Sequence, residues 1–571
     1  MKNKKVIDMS RFACTTMIVG KNASIDGSVI IAHSDDDVGD ERLIHVPGRT
    51  WDLSDPVQKN RPIYYDNVSL GSNTDFNSTD IRRYIGNSRG PGYQTQSEGY
   101  AESKPIGYIP QVKNTHSYFD SNYGVINEYN LMIGECTCGA KNQPGPDQGK
   151  RLFYSSELSR IALERCKTAR KAIILISQLI AQYGYYGTGE TLLIGDANEG
   201  WVMEMAAYEM DGSDGVWVAQ RVEDDQYFVA ANEFRIRDIK KGNTVDDYGI
   251  SSFDNNEVWY SLNLFDVAKT SNWNILNDTI DWLSSVSWGE YSHPYYSLRR
   301  VWRAFSKVAP SSSLPSKLEN GYSREYPFSL KPEKKLSVLD IVDVYRDHYE
   351  GTEFDLTKGD AAAPWENPVR YENNPDQGDS FNLNIYHPEG AWERPLSIYR
   401  CGMMWINQAK KINNDTIGFS WIGLDRPVAN CLIPFFCKMQ KLPSRIQVMN
   451  LLDFQFNGDS AWWAFNFVAN QANNNFNHMM HDVKQLQKEL ESIAYEKVST
   501  CLQSGNTEGI SELCTDNAAK VIAKWWQLAS VLIIKYNDGC ITTGPNNIME
   551  KIDYPEDWLK KVGFYDGPIE Y

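Results

Sequence analysis

The chain has 571 residues, enough for one large domain or two, and its 42% hydrophobic and 23% charged residues are ordinary for a soluble globular protein. Its formal net charge of −17 argues against nucleic acid or an anionic membrane as the main partner. No run approaches the roughly 18 apolar residues that a transmembrane helix needs.

The first thirteen residues have a basic start but no apolar segment of the kind that a secretion signal needs, so we expect a cytoplasmic protein. The ten cysteines show no paired spacing typical of a zinc site, and a chain of this size does not need disulfides. Most of them are therefore expected to be reduced and buried. Because the standard metal, nucleotide and serine-hydrolase motifs are absent, we expect no metal and no other cofactor.

The first half of the chain predicts antiparallel hairpins separated by a long helix. The first hairpin pairs residues 15–20 with 28–33 across the turn signal Asp26-Gly27. Apolar residues at helical spacing predict one helix over 155–182. Three further hairpins are predicted: 123–126 with 131–135, 191–195 with 201–205, and 216–221 with 227–231. This mixture indicates layered sheets and helices rather than a parallel doubly wound sheet.

The remaining segments divide into two irregular regions and a helical end. Residues 66–104 are rich in Asn, Ser and Gly, and we interpret them as a surface insertion that partly covers the site. Residues 355–381 are predicted to form a second irregular loop. From about residue 474 the apolar spacing becomes helical, and the tail over 541–571 is predicted to be mostly irregular.

Cys14 opens the first predicted strand. If the chain is cut between Ala13 and Cys14, this cysteine becomes the N-terminal residue and carries both a thiol and a free α-amine. Such an amine has a reference pKa of about 7.7–8.0 and can act as a base near neutrality. Because an N-terminal amine can activate a neighbouring nucleophile, this arrangement indicates an amide-bond hydrolase. A single cysteine without further support would more often be an ordinary buried residue.

Further support comes from four sequence blocks that follow one another along the chain. Residues 14–36 begin CTTMIVGKNASIDGS and end AHSDD, and residues 123–138 read YGVINEYNLMIGECTC. Residues 230–236 read AANEFRI, and residues 348–359 read HYEGTEFDLTKG. In this order the blocks resemble those of PepD-type cysteine dipeptidases, which are N-terminal-nucleophile hydrolases related to the secernins and, more distantly, to the choloylglycine hydrolases. The resemblance spans roughly residues 14–370 and is weaker to about 500.

The resemblance implies an α+β fold, in which two antiparallel sheets lie between helical layers as a four-layer αββα sandwich. It also implies a division of the chain into three parts. We expect residues 1–13 to be a short propeptide and residues 14–470 to be the catalytic domain, with 66–104 inserted in it. Residues 471–571 are expected to be a helical C-terminal extension packed on that domain.

The same resemblance gives Cys14 the role of nucleophile, and its α-amine the role of proton relay. Asp36 matches the carboxylate that holds this amine in related enzymes. His33 stands where the family has an arginine, and an imidazole gives a weaker, pH-dependent field than a guanidinium. We assign His33 and Asp37 to substrate binding. A dipeptidase must hold a charged amine and a free carboxylate, and acidic groups such as Asp36 or Asp37 and an arginine such as Arg300 are all candidates for this role.

Two asparagines and one arginine complete the predicted catalytic set. Asn127 matches a turn asparagine whose amide helps to form the oxyanion hole, although Asn also suits a plain hairpin turn. Asn232, at a predicted strand end, matches the second family asparagine. Arg300 stands where the family has an arginine facing the nucleophile, and its neighbours Arg299 and Arg303 compete for that assignment.

The leading hypothesis is a dipeptidase that acts on small peptides, matures by cleavage before Cys14 and can self-associate. An amidase or acyltransferase acting on a non-peptide amide would share the fold and the acyl-enzyme chemistry. A catalytically inactive secernin-like protein is the alternative that His33 would favour. A carbohydrate-active protein is suggested only by the 17 Trp and 32 Tyr and by the acidic charge.

Overall fold

The computed structural model describes residues 14–36, 42–64, 83–84, 101–102, 105–145, 147, 149–208, 215–242, 244–252, 257–289, 296–371, 393–448, 456–543, 546 and 548–563. Three of the predictions fall outside these residues in whole or in large part: the propeptide over 1–13, Asp37, and the insertion over 66–104.

The described residues form strands and helices along the whole chain. The strands are β1 (Cys14–Val19), β2 (Val29–Asp35), β3 (Ile44–Val46), β4 (Arg49–Thr50), β5 (Asn60–Ile63), β6 (Arg83–Tyr84), β7 (Ala101–Glu102), β8 (Gly107–Pro110), β9 (Asn114–Thr115), β10 (Tyr118–Asp120), β11 (Gly124–Asn127), β12 (Met132–Cys138), β13 (Gly189–Gly195), β14 (Gly200–Ala206), β15 (Val216–Val222), β16 (Tyr227–Ala230), β17 (Asp238–Lys240), β18 (Thr244–Val245), β19 (Ile250–Ser252), β20 (Val258–Ser261), β21 (Ile275–Leu276), β22 (Thr279–Asp281), β23 (Ser329–Leu330), β24 (Met403–Ile412), β25 (Asp415–Leu424), β26 (Ile433–Phe436), β27 (Cys540–Thr543) and β28 (Ile548–Lys551). The helices are α1 (Ser155–Arg165), α2 (Ala169–Tyr183), α3 (Leu264–Thr270), α4 (Trp282–Val286), α5 (Leu298–Val308), α6 (Val338–Tyr345), α7 (Ala461–Ala472), α8 (Phe476–Ser504), α9 (Ile510–Lys535) and α10 (Glu556–Lys561).

Two large antiparallel sheets form the centre of the molecule. The first has seven strands in the order β23-β16-β1-β2-β24-β25-β26, and the second has ten in the order β18-β19-β20-β15-β14-β13-β12-β11-β10-β3. Strands β1 and β2 are buried along their whole length. Their near-continuous apolar sequences fit strands that are covered on both faces.

The two sheets pack face to face, and glycines on the ten-stranded sheet set how closely they approach. A Cβ placed on Gly195 would lie 2.6 Å from Ile31 Cδ1, and one on Gly200 would lie 2.7 Å from Ile18 Cγ2. Real Cβ atoms do not come this close, so β1 and β2 lie directly against β13 and β14.

Helices cover the outer face of each sheet. Apolar residues of α1 and α2 form one buried cluster with outward-facing residues of β12, β13 and β14. On the other side, α5 contacts β16, α6 contacts β2 and β24, α7 contacts β25, and α8 and α9 contact β26. The layers therefore run helix, sheet, sheet, helix, and the predicted α+β, four-layer αββα fold is confirmed.

The structure corrects three predictions of secondary structure. The helix expected over 155–182 is two helices, because the chain leaves α1 at Cys166 and Thr168 caps α2 by accepting a hydrogen bond from the Lys171 amide. The expected hairpin of β15 with β16 does not form, since these strands belong to different sheets. The tail expected to be irregular contains the β27–β28 hairpin and α10.

The chain passes from the ten-stranded sheet at β15 to the seven-stranded sheet at β16 because of contacts made by the turn between them. The turn between these strands is bound to the segment after β1: the Asn22 amide donates to the Asp224 carbonyl at 2.7 Å, and the Gly20 amide donates to the Gln226 carbonyl at 2.9 Å. Strand β16 then pairs with β1. Long-range pairing therefore outweighs the local hairpin tendency of the sequence.

The ten cysteines all lie in the described part of the chain, and they are free. Nine are buried and Cys540 is partly exposed, as the sequence predicted for reduced thiols. None of the helices that the structure describes is long and apolar enough to cross a membrane.

A buried ion pair attaches α8 to the sandwich. Arg346, at the end of α6, donates to Glu491 on α8 at 2.6 and 2.9 Å, and Glu491 also accepts from the Leu432 amide at 2.8 Å. We expect Glu491→Ala to lower the free energy of unfolding by about 3 kcal/mol, because it leaves the Arg346 guanidinium without its partner. Chemical denaturation measures this. Glu489→Ala, on the exposed side of the same helix, is the control and should change stability by less than about 0.5 kcal/mol.

Candidate active site

The register of β1 determines what surrounds Cys14. Thr16 pairs with Ala230 of β16, so continuing this register by two residues sets Cys14 beside Asn232. On the other side Cys14 pairs with Asp35 of β2. The Cys14 side chain has no exposed surface. The first residue of the predicted strand is therefore the centre of a buried polar cluster.

Arg300 on α5 holds the backbone of Cys14 in place. Its Nη1 donates to the Cys14 carbonyl at 2.7 Å and to Thr15 Oγ1 at 2.8 Å. Its Nη2 donates to Asn232 Oδ1 at 2.7 Å and to the Ala231 carbonyl at 3.0 Å. One guanidinium thus ties the start of β1 to the segment that follows β16. Charge-assisted hydrogen bonds of this kind in a buried setting fix geometry strongly.

Asn232 is the second contact of the Cys14 backbone. Its Oδ1 accepts from the Cys14 nitrogen at 3.3 Å, and its Nδ2 donates to the Thr137 carbonyl at 2.8 Å. The residue has a φ of 65°, a left-handed conformation that Asn tolerates better than most residues. The side chain therefore joins β1 to β12 across the two sheets.

Glu204 holds the segment after Asn232. Its carboxylate accepts from the Arg235 amide at 2.6 Å, from the Ile236 amide at 3.1 Å and from Trp282 Nε1 at 2.8 Å. Burial raises the pKa of Glu204 to about 7, against the lowering effect of these three donors. The conformation that presents Asn232 is thus supported by a carboxylate on β14.

The thiol of Cys14 donates a hydrogen bond to Glu135 Oε2 at 3.2 Å. Burial, followed by the charges of Glu135 and Asp35, raises the pKa of the Cys14 thiol well above its ordinary value. The raised pKa favours the protonated thiol over the thiolate, which is the reactive form of cysteine.

His33 fills a gap between two strands. Strand β12 pairs with β13 over seven residues but pairs with β11 only at Ile126 and Met132. At the edge that this leaves open, His33 Nδ1 lies 2.6 Å from the Glu135 carbonyl oxygen and 3.0 Å from its amide nitrogen. The ring stacks on Trp405, with centroids 4.0 Å apart. Because Nδ1 of a neutral imidazole either donates to the carbonyl or accepts from the amide, His33 supplies one hydrogen bond to the β12 backbone at Glu135.

This environment also fixes the charge of His33. Burial lowers its pKa to about 4, although the Glu135 carbonyl and the Asp36 charge act in the opposite direction. The imidazole is neutral near pH 7, so it does not supply the cationic field of the family arginine. The assignment of His33 to substrate binding stays a prediction. The contacts of its ring are with the β12 backbone and with Trp405.

Asp36 follows β2 and is fully buried. Its Oδ2 accepts from Arg394 Nη2 at 2.6 Å, and Arg400 donates to its carbonyl. Its Oδ1 has no hydrogen-bond partner among the described residues. Asp36 is near enough to Cys14 for its charge to help raise the thiol pKa. One carboxylate oxygen is thus available to a new donor beside the nucleophile.

Asn127 has a different role from the predicted one. Its Nδ2 donates to the Leu163 and Cys166 carbonyls at 2.8 Å each, and its Oδ1 accepts from the Tyr129 and Leu131 amides at 3.0 Å each. Both amide protons are used to cap the end of α1. The expected oxyanion-hole contact is therefore corrected: Asn127 closes the β11–β12 turn and fixes it to a helix.

The three arginines of α5 have different hydrogen-bond partners. Arg299 donates to Glu393 at 3.1 Å, and Arg303 donates to Asp347 at 2.7 Å. Only Arg300 of the three contacts Cys14 among the hydrogen bonds of the described residues. Sequence reasoning assigned no role to Glu135, although it lies inside one of the four blocks. It also missed Arg394, which carries no motif.

One group of residue types suited to metal binding comes together in the described ranges. Ligand atoms of Cys14, His33 and Glu135 all lie within 4.8 Å of one another. The hydrogen bonds of Glu135 to the Cys14 thiol and to the His33 ring account for this proximity. We therefore interpret the group as the environment of the thiol.

Comparison with known proteins gives a consistent set of similarities. The model of the family described as Peptidase family C69 matches residues 13–60 and 115–489. "Probable dipeptidase B" of Lactococcus lactis subsp. lactis (strain IL1403) is 23% identical over 455 residues, which cover 77% of each chain. "Dipeptidase" of Bifidobacterium longum (strain NCC 2705) is 21% identical over 507 residues, covering 85% of this chain and 82% of that protein.

One solved structure also aligns with the chain. It is penicillin V acylase from Agrobacterium tumefaciens, with 11% identity and a TM-score of 0.27, covering 75% of this chain and 87% of that one.

The neutral, buried state of His33 predicts a specific dependence of stability on pH. Its folded pKa of about 4 lies below the usual value of 6.5, so the folded form resists protonation. The stability it contributes is complete above pH 6.5 and is lost as the pH falls towards 4. Between pH 6.5 and pH 4, the decrease in the free energy of unfolding should be roughly 3 kcal/mol smaller for His33→Gln than for the wild type. Chemical denaturation at several pH values measures it, and an unchanged pH slope would contradict the assignment.

Proposed function

The chain belongs to peptidase family C69, and we propose that it is a dipeptidase whose nucleophile is Cys14 after the bond to Ala13 has been cut. The observation that carries this proposal is the position of Cys14 at the head of a buried central strand, with its nitrogen and carbonyl held by Asn232 and Arg300. Relatives named dipeptidases that cover most of the chain support the substrate class.

Cleavage would turn the Cys14 amide into an α-amine at a place where its nitrogen already donates a hydrogen bond to Asn232. In the structure, Asn232 Oδ1 accepts a hydrogen bond from this nitrogen. Asp36 Oδ1 is a buried acceptor that has no hydrogen-bond partner among the described residues. We assign these two oxygens to the new amine. A held amine takes the proton of its own thiol, so that the sulfur becomes reactive.

The reaction then follows acyl-enzyme chemistry. The Cys14 sulfur attacks the carbonyl carbon of the substrate peptide bond, and the α-amine holds the thiol proton. Collapse breaks the C–N bond, the leaving amine takes that proton, and a thioester remains on Cys14. Water attacks the thioester, giving the free carboxylate and restoring the thiol.

Asn232 is assigned as the side chain that supports the oxyanion, in place of Asn127. Asn232 Nδ2 donates one proton to the Thr137 carbonyl and has a second proton for the oxyanion, whereas both protons of the Asn127 amide are used at the end of α1. A donor of this kind contributes about 10²–10³ in rate where it has been removed in other enzymes.

Arginines give this end of the site a positive charge that suits the free carboxylate of a dipeptide. The guanidinium groups of Arg300 and Arg394 each lie 4.9 Å from the centre of the Tyr296 ring. Arg400 donates to Asp36 and lies 3.4 Å from Tyr296 Oη through its Nη2. These arginines supply a counter-charge for the carboxylate end of a short peptide.

The first test is the mass of the purified full-length protein together with its activity. We expect loss of residues 1–13 and release of free amino acids from dipeptides, since both steps use the Cys14 thiol. Cys14→Ala should retain the full mass and show no turnover. A panel of dipeptides, tripeptides and N-acyl amides separates a dipeptidase from an amidase. An uncut protein that still hydrolyses dipeptides would contradict the role of the N-terminal amine.

The second test compares two neighbouring arginines. Arg300→Lys cannot reproduce the contacts with Cys14 and Asn232, because a lysine ammonium lacks the planar fork of the guanidinium. We expect kcat for dipeptides to fall at least about 100-fold, corresponding to about 2.7 kcal/mol of transition-state stabilisation. Arg299→Lys is the matched control, since Arg299 pairs with Glu393, and its kcat should change less than about fivefold. Equal losses in the two variants would remove the special role of Arg300.

A further inference from the structure

Glu135 is bound to the nucleophile by a direct hydrogen bond. Its Oε2 accepts from the Cys14 thiol at 3.2 Å, and its Oε1 accepts from Thr137 Oγ1 at 2.8 Å. Both Glu135 and Cys14 have no exposed surface. The carboxylate is thus fixed on one oxygen by a hydroxyl, while the other faces the thiol proton.

A second buried carboxyl lies behind Glu135. Glu190, on the neighbouring strand β13, lies near enough to influence the pKa of Glu135, and its Oε1 accepts from the Tyr154 hydroxyl. Its Oε2 receives no N–H or hydroxyl donor within the described ranges. A proton between the two carboxyls would give this oxygen a partner. Burial raises the pKa of both groups, and that of Glu190 is raised further by the charge of Glu135.

These contacts bear on a step that the dipeptidase reaction leaves unexplained. Before the chain is cut, the Cys14 nitrogen is an amide that donates to Asn232. An amide is not a base, so it cannot take the thiol proton as the free α-amine does. The thiol pKa is also raised well above its ordinary value. Cleavage before Cys14 therefore needs a different proton acceptor.

We propose that Glu135 is the general base for self-cleavage of the Ala13–Cys14 bond, and that Glu190 holds it in place through a shared proton. This inference rests on the proposed function, since it concerns how the nucleophile of that reaction is released. It separates two proton acceptors in one site: the Glu135 carboxylate for maturation and the α-amine for turnover.

The step balances as follows. The Cys14 thiol proton passes to the Glu135 carboxylate, and the sulfur bonds to the Ala13 carbonyl carbon. The C–N bond then breaks, the Cys14 nitrogen takes the proton from Glu135, and residues 1–13 remain on the sulfur as a thioester. Water hydrolyses the thioester and releases the peptide as a carboxylate, which restores the thiol.

The pH dependence of this step has a fixed sign. A general base works when it is deprotonated, so the rate of self-cleavage should rise with pH through the raised pKa of Glu135. Several titratable groups face Glu135 or its immediate partners: Cys14 on β1, His33 and Asp35 on β2, Cys136 on β12, Glu190 on β13 and Tyr154 before α1. His33 remains neutral above about pH 4, so it does not produce this rise.

The experiment follows release of residues 1–13 from freshly refolded full-length protein by intact mass. Glu135→Gln should slow release at least about 100-fold, the lower end of a general base's contribution. Glu190→Gln is the matched variant, because an amide resembles the protonated carboxyl and does not touch the thiol. It should slow release by less than about tenfold. Equal rates for Glu135→Gln and wild type would overturn the proposal.

A second arm exposes Cys14 without self-cleavage. Residues 1–13 are replaced by a tag that an added protease removes directly before Cys14, and dipeptide turnover is then measured. With the α-amine present, Glu135→Gln should lower the kcat for dipeptides no more than about tenfold. This loss is far smaller than the loss expected in its rate of maturation. A loss as large as that of maturation would show that Glu135 only positions the sulfur, and would overturn the assignment.

Two further outcomes separate this proposal from the proposed function. If wild-type protein is never cut before Cys14, the N-terminal nucleophile fails and the role of Glu135 fails with it. If wild type is cut but no dipeptide is hydrolysed, the substrate class fails and the cleavage proposal stands. If the rate of wild-type maturation does not rise between pH 4.5 and pH 8, the role of Glu135 as general base is contradicted without the need for any substituted protein.

Discussion

Strand β1 lies between β2 and β16, and its register against both strands is what the site depends on. The pairs Thr16–Ala230 and Cys14–Asp35 set the backbone of Cys14 between two strand ends. From there, Arg300 and Asn232 can reach the carbonyl and the nitrogen of the same residue. A shift of one residue would turn the sulfur to the opposite face of the sheet.

A second constraint comes from the separation of β11 and β12 after Met132. A strand edge inside a protein leaves amide and carbonyl groups that must find partners. The facing sheet supplies them: His33 bonds to Glu135, and Trp405 Nε1 donates to the Ile133 carbonyl at 3.3 Å. This explains why a neutral imidazole is compatible with the site. His33 stabilises the backbone that carries Glu135, and the positive charge comes from Arg300 and its neighbours.

The sequence predicts much of this arrangement because its signals are local. The hairpin of β1 and β2, the layered fold and the placement of Asn232 after a strand follow from alternation, turn residues and the four blocks. The separation of β15 from β16 could not be read in this way, because it depends on the Gly20 and Asn22 amides binding a distant turn. The predicted oxyanion-hole role of Asn127 was wrong for the same reason. Its side chain suits a hairpin turn and an oxyanion hole equally, and only the end of α1 decides between them.

Glu135 illustrates a limit of a different kind. A glutamate in the middle of a strand block reads as an exposed position, since an isolated charge is rarely buried. The structure buries it beside Glu190, and burial raises the pKa of both carboxyls, which favours their neutral forms. The same burial suppresses the thiolate of Cys14. Under the proposed maturation, the uncut chain would therefore hold the thiol protonated until the N-terminus is free.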